Sequence, residues 1–513
     1  MSFTEQHSRW RVASTAPAEA CIGVIGAGVM GAGIAQVAAQ AGHPVRLLDV
    51  REGAAAAAIA QTAKALDSLV TKGRMEQAER DAVMARISPA LATAELAECA
   101  LVVEVIIEKL EPKQALLREL DALLPPDAII ASNTSSISIT ALANGMTTPS
   151  RLVGMHFFNP VPLMKLVEVV SGAETELSVA ESIYALAKRW GKTPVHAKST
   201  PGFIVNRIAR PYYAETLALL QEQAGTPAQL DRALRGVGFR MGPCELMDLI
   251  GHDTNYLVTQ SVYDANFGDK RYVPSLVQKA LVDGGRLGRK AGKGFYEGVP
   301  AAPLPVAAPA ASAAALPALS VVGRGALLER LADWLTHKGL SFTRGESADW
   351  CGLQLGELQL HLSSGHSAAQ LAHERRHAEL GVIDWPVAPD RTDALALAFA
   401  PHTSHAHREA AAQLLLLLGW QPLVLRDVPG LVVARTLAML VNEGADAVWQ
   451  GVCDAQGADL AMKLGVNYPA GPFEWLALLG AAPVAELLDG LFTAYRSERY
   501  RVSPLIRQQT WGG

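Results

Sequence analysis

The chain has 513 residues, half of them hydrophobic, with a formal net charge of −5. That is enough length for three or four domains with separate cores, and the balance leaves no basic excess for binding nucleic acid. Five scattered cysteines (Cys21, Cys99, Cys244, Cys351, Cys453), without CxxC spacing, read as small core residues of a reducing, cytoplasmic compartment.

Residues 1–20 carry Glu5, Arg9, Arg11 and Glu19 and no apolar core, so they read as a flexible lead-in rather than a secretory signal. The next stretch, Cys21 to Asp49, organises the first half of the chain. An apolar run turns through Gly26-Ala27-Gly28-Val29-Met30-Gly31 into an alanine-rich helix, and a second apolar run, Val45 to Leu48, ends on Asp49. Each part has a task in a dinucleotide site. Gly26 permits the tight turn, Gly28 lets backbone approach a pyrophosphate, and Gly31 lets helix and strand pack closely. The helix N-terminus, with Val29 and Met30, offers unpaired N–H groups to the phosphates. Asp49 accepts from the adenosine ribose and repels a 2′-phosphate, which favours NAD over NADP; Arg51 is the one residue that could act the other way.

Leu101 to Ile107 is expected to be a buried strand interrupted by Glu104, and Ala128 to Ala131 another, followed by Asn133-Thr134-Ser135-Ser136. In a doubly wound sheet ligands sit at the carboxyl ends of strands, which places Glu108, Lys113, Asn133 and Ser135 where a nicotinamide ribose and a substrate meet. In Gly154 to Val170, GMHFFNPVPLMKLVEVV, two apolar runs flank a proline turn, with His156 on one arm and Glu168 on the other. A carboxylate buried in such a run needs a partner, and His156 pairing with it would fix the imidazole tautomer and stabilise the protonated ring.

GFIVNRI, Gly202 to Ile208, opens a helical region that ends near Tyr296 and contains MGPCELMDLIG, Met241 to Gly251. Taken in order, VIGAGVMGAGIA, ASNTSSISIT, MHFFNPVPLMKLVEVV, KSTPGFIVNR and MGPCELMD resemble the 3-hydroxyacyl-CoA dehydrogenase family over residues 21–296. The resemblance implies NAD as cofactor and an acyl-CoA thioester as substrate. It makes His156 the general base and Glu168 its orienting carboxylate, with Ser135 and Asn206 as hydrogen-bonding groups around the substrate's hydroxyl and thioester. It also puts Glu108 and Lys113 near the nicotinamide ribose and Lys72 near the coenzyme A phosphates, while a family serine on the Lys72 helix is replaced by Ala65. The implied reaction is oxidation of a (3S)-3-hydroxyacyl-CoA, with His156 taking the hydroxyl proton as C3 gives up hydride. The β-hydroxyacid dehydrogenases share the domain plan but rely on a lysine, and the HFFNP arm argues against them. A nucleotide-binding protein without turnover is the other class considered, and His156 with Glu168 speaks against it.

Residues 298–318 form an uncharged Ala/Pro stretch, a semi-rigid linker. Beyond it the chain repeats its first half in shortened form. The spacing from Gly323 to Glu346 equals the 23 residues from Gly26 to Asp49, although Leu328 replaces the third glycine. Arg426 to Leu440 repeats KSTPGFIVNRIARPY, and Tyr468 to Gly480 repeats FRMGPCELMDLIG. Aligning Gly430 on Gly202, an offset of 228, puts Ala434 at Asn206, Ala396 at Glu168, and Asp384 where a histidine would be needed.

The expected architecture is α/β: a Rossmann-like doubly wound sheet (21–200), an all-helical domain (201–297), a reduced Rossmann-like domain without cofactor (319–428) and a second helical domain (429–513). It resembles the long, duplicated family members associated with bacterial phenylacetate catabolism, with 3-hydroxyadipyl-CoA and 3-hydroxybutyryl-CoA as the two candidate substrates and no segment for a hydratase. The duplicate would supply in one chain the contact that shorter members obtain from a partner, giving a monomer with an internal pseudo-dimer or a homo-oligomer. The histidines of HTSHAH, 402–407, lack accompanying cysteines or carboxylates and read as a solvated loop rather than a metal site. The uncharged stretches 298–323 and 410–425 are broken by prolines and polar residues, so no membrane span is expected.

Overall fold

A computed structural model describes residues 10–14, 16–300, 305–309, 316–347 and 349–512. They fall into two compact units. One gathers the chain up to Val205 together with Gly451–Val466, and the other holds Asn206–Gln450 and the chain from Asn467 onward.

The first unit is built on eight strands: β1 (Ile22–Ile25), β2 (Val45–Leu48), β3 (Ile87–Ala90), β4 (Leu101–Glu104), β5 (Ile129–Ser132), β6 (Leu152–Phe157), β7 (Leu166–Ser171) and β8 (Thr193–Lys198), in the order β3-β2-β1-β4-β5-β6-β7-β8. The strands from β3 to β6 are parallel, β6 and β7 form an antiparallel pair, and β8 runs parallel to β7. Continuous apolar runs suit strands covered on both faces, and β1, β4 and β5 are buried throughout. The 3-2-1-4-5-6 order is that of dinucleotide-binding sheets.

Two expectations need correction here. β4 stops at Glu104 instead of running to Ile107, because the Glu104 carboxylate turns back to accept the N–H of Ile106 at 2.7 Å. The described part of the N-terminal lead-in is also anchored: Trp10 and Val12 are buried, and the Trp10 indole donates to Ser178 Oγ at 2.8 Å.

The second unit holds seven strands: β9 (Leu319–Val322), β10 (Thr343–Gly345), β11 (Gly352–Leu355), β12 (Leu358–Leu362), β13 (Leu380–Ile383), β14 (Ala394–Phe399) and β15 (Gln421–Val424). Their order is β10-β9-β11-β12-β13-β14-β15, a mixed sheet in which the hairpin β11–β12 lies between β9 and β13. Gly323 begins its turn as Gly26 does, its N–H reaching the Gly345 carbonyl at 3.0 Å, as that of Gly26 reaches Leu48 at 2.8 Å. Leu328, at the third-glycine position, is buried. In the first copy a Cβ on Gly31 would lie 1.8 Å from the Gly26 carbonyl oxygen, so no side chain fits there. Of the linker, residues 301–304 and 310–315 lie outside the described residues. HTSHAH is a loop only over 402–404: Ser404 accepts from the His407 N–H and caps the helix His405–Leu417, and the His407 ring bonds Glu379 at 2.7 Å.

The helical segments of the two copies are distributed unequally. Helix Ala455–Gly465 belongs to the first unit and packs on β7 and β8, where a Cβ on Gly465 would come within 2.8 Å of Leu166. Its counterpart in the first copy, Pro227–Arg235, packs on β14 in the second unit. Also in the second unit, helices Arg210–Gln221 and Val433–Trp449 pack together and bury a set of ion pairs. Among the described residues no single helix is long and apolar enough to cross a membrane.

Candidate active site

The turn after β1 has the shape of a nucleotide cradle. Gly26 has φ +110°, and a Cβ there would lie 2.4 Å from the Val105 carbonyl oxygen, so only glycine fits. Gly28, which caps the helix Val29–Gln40 without a side-chain hydrogen bond, faces open space: a Cβ built on it meets nothing within 4 Å. Backbone is therefore accessible beside a helix N-terminus, as a pyrophosphate requires. Val29 is 76% exposed and Met30 packs partly on the core. At the end of β2, Asp49 accepts the Ala27 N–H at 2.8 Å and is gripped by Arg51 through two contacts of 3.0 Å. The Arg51 guanidinium holds the Asp49 carboxyl at about 2. These residues fit an NAD.

The carboxyl ends of β4 and β5 carry a second cluster. Glu108 Oε1 accepts from Thr134 Oγ1 at 2.6 Å, Ser136 Oγ at 2.9 Å and the Ser135 N–H at 3.0 Å. Burial pushes its carboxyl up, but the Thr134 hydroxyl and the Lys113 charge outweigh that and hold it below the usual range. Lys113, expected beside a ribose, is buried: its ammonium lies 2.6 Å from Glu104, 3.3 Å from Glu108 and 3.3 Å from the Ile106 carbonyl. Asn133 uses its side-chain oxygen to accept the Phe157 N–H at 2.8 Å, which ties the end of β5 to β6.

His156 and Glu168 face one another across the β6–β7 ladder, in register. His156 Nδ1 lies 2.6 Å from Glu168 Oε2, and both side chains are buried. The other carboxylate oxygen accepts the N–H groups of Ile204 and Val205, each at 3.0 Å. Gly202, at φ +78°, and Phe203, at φ +47°, turn the chain so that these two N–H groups point at the carboxylate. The Phe158 ring packs on the imidazole, with centroids 4.6 Å apart. Thus a histidine is fixed through Nδ1, and Nε2 is left as its second nitrogen for proton transfer.

The remaining predicted residues lie on or just past helices. Asn206 follows Val205 in the short helix Val205–Ile208 and is half-buried. Lys72 is exposed just past the helix Ala54–Thr71, and Ala65 is exposed on that helix. Glu104, Thr134, Ser136 and the Ile204–Val205 N–H pair were not singled out by sequence. For Glu104 the signal was present: a carboxylate within an apolar strand requires a cation, and Lys113 lies nine residues on.

A doubly wound sheet with an open glycine turn, an acidic end to β2 and a carboxylate-held histidine defines an NAD-dependent dehydrogenase. Comparison with known proteins gives its kind. The 3-hydroxyacyl-CoA dehydrogenase NAD binding domain matches residues 21–200, the C-terminal domain of that family matches twice, at 202–298 and 430–510, and the 3-hydroxybutyryl-CoA dehydrogenase reduced Rossmann-fold domain matches 360–429. The 3-hydroxyadipyl-CoA dehydrogenase of Escherichia coli K12 is 42% identical over 489 residues, covering 95% of this chain and 97% of that one. The mitochondrial hydroxyacyl-coenzyme A dehydrogenase of Sus scrofa is 40% identical over 53% of this chain and 90% of its own length. A crystal structure of 3-hydroxybutyryl-CoA dehydrogenase from Escherichia coli K12 superposes with a TM-score of 0.86 at 40% identity, over 96% of this chain and 99% of that one. The chain belongs to the 3-hydroxyacyl-CoA dehydrogenase family, and its cofactor is NAD.

Proposed function

We propose that the protein oxidises (3S)-3-hydroxyacyl-CoA thioesters with His156 as the general base, and that 3-hydroxyadipyl-CoA is its substrate. The observation that carries the mechanism is the 2.6 Å bond between His156 Nδ1 and a Glu168 carboxylate anchored on two backbone N–H groups. When bound at the glycine turn and Asp49, NAD supplies a two-electron hydride acceptor. His156 Nε2 takes the proton of the 3-hydroxyl, and the imidazolium so formed is stabilised by Glu168. In the reverse direction the same nitrogen returns the proton to the developing alkoxide. Ser135 and Asn206 hydrogen-bond the substrate's oxygen atoms, Glu108 holds the nicotinamide ribose with Lys113 and Asn133 keeping its surroundings in place, and Lys72 meets the coenzyme A phosphates. The choice of acyl group is supported by the name of the Escherichia coli relative that is 42% identical over 95% of this chain.

The test is NADH oxidation with acetoacetyl-CoA at neutral pH, with His156→Gln beside the wild type. Turnover is expected to fall by about 10²- to 10⁴-fold in the variant while NADH binding is kept. A variant that turns over at the wild-type rate would remove His156 from the mechanism.

A further inference from the structure

In the second unit, a cavity of about 100 Å³ lies against helix Arg210–Gln221. Arg210, Arg271 and Arg499 all line it, and among the described residues no aspartate or glutamate does. Arg271 and Arg499 have counter-charges elsewhere: Arg271 reaches Glu443 and Asp446, and Arg499 reaches Glu215 at 2.6 Å. Arg210 differs. It is 6% exposed, and its contacts are the Asn206 carbonyl at 3.0 Å, Thr259 Oγ1 at 3.1 Å and the Tyr213 ring at 4.9 Å. Among the described residues no carboxylate pairs with it. Burial works against its charged form, and a desolvated guanidinium without a counter-ion is costly enough to need an explanation.

The duplication supplies a control. Arg207 and Arg271, whose work is structural, recur 228 residues later as Arg435 and Arg499, each in a matching ion pair. The residue at that offset from Arg210 is Ala438, and the one at that offset from Asn206 is Ala434. Arg210 therefore follows the pattern of residues kept only in the copy that retains the site's chemistry, and not the pattern of those that hold the fold.

Resting on the dehydrogenase reading above, we infer that Arg210 and this cavity bind the distal carboxylate of a dicarboxylyl-CoA substrate. Arg210 lies one helical turn beyond Asn206, joined through the helical Ala209, a rise of about 6 Å. In a six-carbon dicarboxylyl chain the far carboxyl carbon stands about 4 Å from C3. The Arg210 side chain folds back so that its Nε meets the Asn206 carbonyl at 3.0 Å, and with the hydroxyl near Asn206 the carboxylate comes within reach of the guanidinium. The cavity holds a carboxylate with one or two methylenes, since a single water takes up about 30 Å³ of liquid. Ser275, which also lines it, accepts the Val277 N–H and keeps its hydroxyl proton for an anion. An uncharged acyl end of equal length would leave the guanidinium desolvated and unpaired, so discrimination comes from rejecting the wrong substrate as well as from holding the right one.

The test is the ratio of kcat/KM for 3-hydroxyadipyl-CoA to that for 3-hydroxyhexanoyl-CoA, measured on the NAD-loaded full chain. The wild type is expected to favour the dicarboxylyl thioester, Arg210→Met to lower the ratio by about 10²-fold, mainly through KM for the dicarboxylyl substrate, and Arg210→Lys to recover part of it. An unchanged ratio, or an equal loss on both thioesters, would overturn the inference; the equal loss would assign the anion to the coenzyme A that both share. If Arg210→Met does not fold, a wild type without preference between the two overturns it as well. Failure of the His156 mechanism would instead show as turnover surviving in His156→Gln, whatever the ratio.

Discussion

Arg207 Nε lies 2.6 Å from Glu443, and Arg435 Nε lies 2.8 Å from Glu215, so each arginine pairs with the glutamate of the other copy. All four residues obey the 228 offset. The same reciprocity holds for Arg271 with Glu443 against Arg499 with Glu215, and for the hydroxyls of Tyr272 and Tyr500 on the same two glutamates. In a two-fold dimer, residue i meets residue j of its partner and j meets i. The second unit has this signature within one chain, which is why the repeat kept these residues after losing a histidine and an asparagine.

Removing Glu443 strands the buried Arg207 guanidinium, while Arg271 keeps Asp446. Glu443→Gln is expected to lower stability by about 3–5 kcal/mol in urea unfolding, far more than loss of Arg501, which is 45% exposed. Burial pushes the Glu443 carboxyl up, but Arg207 and Arg271 outweigh it and hold it below the ordinary glutamate value. A depressed carboxyl stabilises the native state above the unfolded pKa, and this contribution is lost as pH falls through the lowered value. Stability should therefore drop on acidification below about pH 4.5 in the wild type and less steeply in Glu443→Gln. A variant as stable as the wild type would show the network to be dispensable.

A chain ending after Gly298 keeps Arg207, Arg271 and Glu215 but loses every carboxylate and arginine that the second copy gives them. Two such chains can satisfy one another by the same reciprocal pairs. Sedimentation is expected to show a dimer or aggregates, and a soluble, fully active monomer would contradict the pseudo-dimer account.

How much the sequence revealed depended on how local the physics is. The glycine turn is mostly local: Gly31 packs on the Gly26 carbonyl and Gly28 faces open space, and only Gly26 is confined by a distant group, the Val105 carbonyl. The offset of 228 aligned His156 with Asp384 and Glu168 with Ala396, and the ladder bears this out: Asp384 N–H donates to the Ala396 carbonyl at 2.9 Å, as His156 faces Glu168. The Arg207–Glu443 network was hidden because its members are more than 200 residues apart and each looks like an ordinary helix charge. Lys113 was expected beside a ribose, but its burial against Glu104 was not legible, because it is set by how the helix Leu110–Leu123 returns across the sheet.

The glycine turn can be dissected by two alanines. A Cβ on Gly28 meets nothing, so Gly28→Ala should leave stability within about 1 kcal/mol while weakening NADH binding about tenfold or more, because the methyl stands where a pyrophosphate approaches. A Cβ on Gly31 collides with the Gly26 carbonyl, so Gly31→Ala should cost about 3 kcal/mol of stability as well. Calorimetry and NADH fluorescence titration would separate the two. Equal stability losses would mean that the cradle is not open as described.

Asp384 stands where the first copy has His156, yet it does the work of Glu168. Its carboxylate accepts the N–H groups of Val432, Val433 and Ala434 at 2.7–2.9 Å, and Val432 and Val433 correspond to Ile204 and Val205. The anchor for the chain entering the helical domain was kept by moving the acid to the neighbouring strand, and the proton-transfer pair was given up. Burial pushes the Asp384 carboxyl up to about 6 against those N–H groups. A raised carboxyl binds a proton in the native state that the unfolded chain releases, so its contribution is present below 3.8 and is lost as pH rises through about 6. Asp384→Asn removes this titration and leaves an amide N–H₂ facing donors, at a cost of about 1–3 kcal/mol. The stability gap between wild type and variant should widen by up to about 3 kcal/mol as pH falls from 7 to 4, the opposite sense to Glu443. A gap that stays constant over that range would mean that Asp384 is ionised throughout.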